Sequence, residues 1–115
     1  MSQGTKIETF EGNAVRHTFN LKQFGKNAPV DVSTATAISF EYEDADGVDQ
    51  TPLVVNAVEP GADWGNGIVV VFIQAPLTDV LGDYPFSLTV EINGETITYE
   101  CGEVNVLDRR GYTTP

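Results

Sequence analysis

FSLTVEINGETITYEC, Phe86 to Cys101, decides the fold. At its centre Asn93-Gly94 is a two-residue hairpin turn, because both residues tolerate positive φ and the resulting turn matches strand twist. Pairing Ile92 with Glu95 sets Val90 opposite Ile97, Leu88 opposite Tyr99 and Phe86 opposite Cys101, all apolar. On the other face Glu91 meets Thr96, Thr89 meets Thr98 and Ser87 meets Glu100, all polar. A slip of one residue would spoil both faces, so turn chemistry and hydrophobic pattern specify the same register. Cys101 is then expected to face the core as a small apolar side chain rather than act as a nucleophile.

Outward from this hairpin the same period of two recurs. Val15, His17, Phe19 and Leu21 alternate with Arg16, Thr18 and Asn20, and Ile38, Phe40 and Tyr42 alternate with Ser39, Glu41 and Glu43. Leu53 to Val58 and Ile68 to Ile73 are short β-branched runs of strand length. No segment carries a helical period, although VSTATA and PLTDVLGD each suit a single helical turn between strands. The expected fold is all-β: an antiparallel immunoglobulin-like β-sandwich of about seven to eight short strands. It forms one domain over residues 1–115, with a core from about residue 6 to 107 and short tails at either side.

Charge narrows the partners. The net charge is −11, and between Asn27 and Asp108 there is no Lys or Arg, while all the Asp and Glu except Glu8 and Glu11 fall there. Such a surface repels nucleic acid phosphates and anionic lipid, so neither is an expected partner. The longest apolar run, Ile68 to Ile73, has six residues, far below the ~18 of a membrane helix. A single cysteine and a start without an apolar leader point to folding in a reducing cytosol.

Chemistry is sparse. His17 is the only histidine and falls on the apolar side of a strand, where it suits the core better than a catalytic base. There is no G-x-S-x-G, H-E-x-x-H or C-x-x-C spacing and no phosphate-cradling glycine loop, so no enzyme is expected. Two features stand out. EDADGVD, Glu43 to Asp49, holds four carboxylates and a glycine. Its Asp44, Asp46 and Asp49 approximate a calcium loop, but the glycine comes two positions early and no bidentate Glu follows, so a hairpin tip is the better reading. Trp64, in the loop PGADWGNG, is either a lid over one end of the sandwich or an anchor for a sugar ring or a protein. Arg109, Arg110 and Tyr112, in the basic segment after the acidic body, are further candidates for partner contact.

The order of these motifs resembles a known group. FEGNAVRHTFNL (Phe10 to Leu21), APVDVSTATAISFEY (Ala28 to Tyr42) and LTDVLGDYPFSLTVEINGETITYECGEVNV (Leu77 to Val106) resemble immunoglobulin-like domains of tailed-phage virion structural proteins. Notable among these is the N-terminal domain of baseplate upper proteins, which the chain resembles with Gly82, Tyr84, Gly94, Gly102 and Val106 in matching places. Val32 to Thr36 departs from it by lacking a glycine. The resemblance implies a non-enzymatic virion component, made in the host cytoplasm, that docks on capsid, tail or baseplate proteins as a homo-oligomer in the assembly. Because baseplate proteins continue into fibre domains, a capsid decoration or tail accessory protein is the expected role, with no cofactor. The alternative is a glycan- or calcium-binding module using Trp64 or the Asp44, Asp46 and Asp49 loop.

Overall fold

Asn93 and Gly94 both take positive φ, 53° and 78°, and the turn they make joins the two longest strands of the computed structural model. The structure describes residues 4–44, 46–74 and 77–108. In chain order the strands are β1 (Thr5–Phe10), β2 (Val15–Asn20), β3 (Ala37–Tyr42), β4 (Leu53–Val54), β5 (Ile68–Ile73), β6 (Gly82–Ile92) and β7 (Glu95–Leu107). Short 3₁₀ turns occupy Trp64–Asn66 and Leu77–Asp79. One sheet has the order β1-β7-β6-β3-β4, and β2 and β5 form a second, two-stranded sheet.

The alternation that marks each strand also builds the core. Ile38, Phe40 and Tyr42 of β3, the even-numbered residues Tyr84 to Val90 of β6, and Val104 and Val106 of β7 are all buried. They meet Phe19 of β2 and Val69, Val71 and Ile73 of β5 in one cluster. Phe86 stands at its centre, stacked on Phe40 at 4.6 Å and edge-on to Phe19 at 5.9 Å, so it ties the two sheets together.

Three expectations are corrected. First, the register around the turn holds from Ile92–Glu95 to Val90–Ile97, but between Leu88 and Thr89 it shifts, so that Leu88 faces Glu100 and Phe86 faces Gly102. Tyr99 is the extra residue; it packs on the core rim and stacks on Phe24 at 5.3 Å. A bulge reverses the faces beyond it, which carries Cys101 to the exposed side opposite Ser87 instead of into the core. The bulge also delivers Gly102 to the place where β1 begins to pair with β7, and a Cβ there would collide with the Thr5 carbonyl.

Second, the fold is not wholly antiparallel. β1 pairs with β7 in parallel, Thr5 with Gly102 through Phe10 with Leu107. The chain leaves β1 for the other sheet, so β1 reaches β7 without a hairpin and takes the same direction. Third, Leu53 to Val58 yields a strand of only two residues, Leu53–Val54, and the loop after it carries Gly61 against Val70. Of the two stretches suited to a helical turn, PLTDVLGD contains one at Leu77–Asp79, whereas the other is a plain turn closed by Ala35 N donating to Val32 O.

Candidate functional site

β6 begins, and β1, β3, β5 and β7 finish, at the same end of the molecule, the exit end, opposite the Asn93-Gly94 turn. Phe10 pairs with Leu107 and Gly82 with Val106, so Leu81, one residue before Gly82, reaches the level of Leu107. Phe10, Leu107 and Leu81 thus form a short apolar row on the outer side of the sheet, 45%, 40% and 45% exposed, with Val80 beside it at 62%. Next to the row, Asn105 Nδ2 donates to Asp83 Oδ1 at 2.6 Å and to Glu103 Oε2 at 2.7 Å. The apolar row is therefore bordered by carboxylates.

The EDADGVD stretch forms a hairpin at this end. Glu43 bridges Asp49, and Asp44 N donates to Val48 O at 2.9 Å. Asp44 then works inward: Oδ1 accepts from the amides of Asp46 and Val48, both at 2.9 Å, and Oδ2 accepts from Gln50 Nε2 at 3.2 Å. A carboxylate folded onto its own loop amides is the chemistry of an Asx turn, and Gly47 supplies the positive φ of 82° the tip requires. The hairpin also divides the acids. Asp44 and Asp46 line one cleft, while Asp49 lines another on the opposite side with Glu41 and Glu43. Among the described residues no group of three His, Cys, Asp or Glu is gathered for a metal ion.

The first of these clefts has a volume of about 250 Å³ and is walled by Tyr42, Tyr84, Leu77 and Val80, with Asp44, Asp46 and Gln50 at its hairpin side. Tyr84 is fixed by its hydroxyl, which donates to Val80 O four residues earlier. Burial raises the pKa of both tyrosines, and at Tyr84 the charge of Asp44 and the phenol of Tyr42 add to the effect. Sequence reasoning missed Leu77, Val80, Gln50 and the Tyr84 contact. The signal for the last was present as a tyrosine two residues after Gly82, at the start of a long strand.

Trp64 lies near the opposite end, half-buried and packed against the core, with its Nε1 buried and no partner among the described residues. Its carbonyl accepts from Val32 N at 2.9 Å and from Gly67 N at 3.1 Å. Gly67 closes the turn at φ 75°, with Leu21 O and Val30 O 2.7 and 2.8 Å from where a Cβ would stand. The loop is thus pressed onto the core cluster, with Trp64 packed against it. Arg109, Arg110 and Tyr112 lie outside the described residues. His17 is edge-on to Phe19 at 4.7 Å; burial lowers its pKa and the charge of Glu100 partly opposes this.

Neither protein-family models nor curated proteins yield a match to the chain. Among the described residues no helix is long and apolar enough to cross a membrane.

Proposed function

We propose that the chain is a non-enzymatic structural protein of a tailed-phage virion, an immunoglobulin-like sandwich that docks by protein–protein contacts as a capsid decoration or tail accessory module. Two features support the immunoglobulin-like part. β3, β6 and β7 in one sheet and β2 and β5 in the other follow the C-F-G and B-E division of that fold. The Tyr84 hydroxyl on the Val80 carbonyl is the contact of a tyrosine corner at the start of strand F.

The observation that carries the docking reading is the apolar row Phe10, Leu81 and Leu107 at the exit end of an otherwise acidic module. Water-exposed apolar side chains grouped at the ends of neighbouring chain segments gain most when a partner covers them. Arg109, Arg110 and Tyr112, which follow Asp108 in sequence, are further candidate contacts in this reading. The acidic body keeps free copies apart until a docking site is met. The phage assignment rests on the resemblance of the three quoted stretches.

The test is cosedimentation of the purified chain with particles assembled without it. Wild-type chain should pellet with particles, and Leu107→Asp should stay in the supernatant at an unchanged melting temperature. Equal pelleting of the two, or none by wild type, would remove the reading.

A further inference from the structure

We infer that the cleft between the Glu43–Gln50 hairpin and the Leu77–Val80 turn receives an arginine side chain presented by a partner protein. The inference rests on the docking reading above and names the chemistry of the contact. Four observations carry it. The cleft, at about 250 Å³, is the size of one long side chain rather than of an oligosaccharide. Its walls, Leu77, Val80 and the two tyrosines, suit the aliphatic stem and the planar, weakly hydrated guanidinium. Asp46 at the hairpin side is exposed, with no partner for its carboxylate among the described residues, and Asp44 adds a second negative charge.

The fourth observation is charge. No cation of the described chain lines either cleft beside the hairpin, and Glu41, Glu43 and Asp49 line the other one, so the hairpin is negative on both sides. The one ion pair among the described residues, Arg16 with Glu59 at 3.2 Å, lies on other elements. Asp44's charge reaches into the cleft far enough to raise Tyr84. A guanidinium has five donors, enough for the Asp46 carboxylate and a tyrosine oxygen together. A bare calcium ion needs six to eight oxygens, and here Asp44 Oδ1 is occupied by two amides.

The probe is N-acetyl-arginine amide, titrated into the full chain and followed by amide and aromatic NMR at low and high salt. Saturable shifts at Asp46 to Gln50, Leu77 to Val80 and the Tyr42 and Tyr84 rings are expected. They should weaken with salt and at least threefold in Asp46→Asn, a variant that leaves the Asp44 turn in place. Shifts scattered over the acidic surface would overturn the inference, as would cleft shifts from calcium chloride or a methyl glycoside with none from the arginine probe. The particle assay separates this from the reading beneath it. If wild type pellets, Leu107→Asp does not, and Asp46→Asn pellets as wild type, docking stands and the arginine site falls. If the probe binds the cleft while wild type fails to pellet, the docking reading falls and with it the partner-protein role of the site.

Discussion

Tyr84 shows how one side chain joins fold and cleft. Its ring is core and its hydroxyl holds the Leu77–Val80 turn in place. Tyr84→Phe keeps the ring and strands the Val80 carbonyl, so urea denaturation should find it about 1–2 kcal/mol less stable. An unchanged midpoint would show that water replaces the bond without cost. His17 makes the second prediction. Its folded pKa lies below its unfolded value, so the unfolded chain binds the proton first. Stability should be flat above the unfolded pKa of about 6.5 and fall as pH drops below it. His17→Gln should remove that step, and a step that survives the substitution belongs to another group. The physical need for Gly102 was not legible in sequence, because the β1 carbonyl that requires it is distant along the chain. Gly102→Ala should cost about 1–3 kcal/mol, as overpacked sites do, and should release β1 amides to hydrogen exchange first.

At the scale of elements, legibility follows how local the cause is. The Asn93-Gly94 turn, and the strands at Val15, Ile38, Ile68 and Tyr84, were readable because turn chemistry and alternation lie within each segment. The bulge at Tyr99 was not, since an uninterrupted apolar alternation up to Cys101 gives no sign that Gly102 must move to meet Thr5. β1 was not read either: Ile7 is the only aliphatic side chain it buries, and a parallel partner needs no adjoining turn. The EDADGVD hairpin tip was readable from Asp46-Gly47, whereas the cleft beside it was not, because it needs Leu77 and Val80 from thirty residues on. Asp44→Ala should loosen the tip by about 1 kcal/mol. Calcium should leave the wild-type melting temperature where chelator leaves it; a calcium-dependent rise abolished by Asp46→Ala would restore the ion-binding alternative.

For the whole molecule, the two ends differ in kind. The end bearing Trp64 is closed over the core, and Trp64→Ala should lower stability by about 3 kcal/mol or more as a lost lid; a stable variant that no longer docks would make it an anchor instead. The exit end presents the apolar row, the acidic hairpin and the tyrosine-walled cleft together. Phe10, Leu81 and Leu107 could not be recognised as neighbours in sequence, because the row exists only once β1, β6 and β7 align. The central claim is that this end fastens the module to a virion. The most direct measurement is quantitative mass spectrometry of gradient-purified phage particles from the genome that encodes the chain. The account predicts the chain at a fixed ratio to a major structural protein, lost when Leu107→Asp replaces wild type. Particles of full density and infectivity that lack the chain, with all of it left in the soluble lysate, would contradict it.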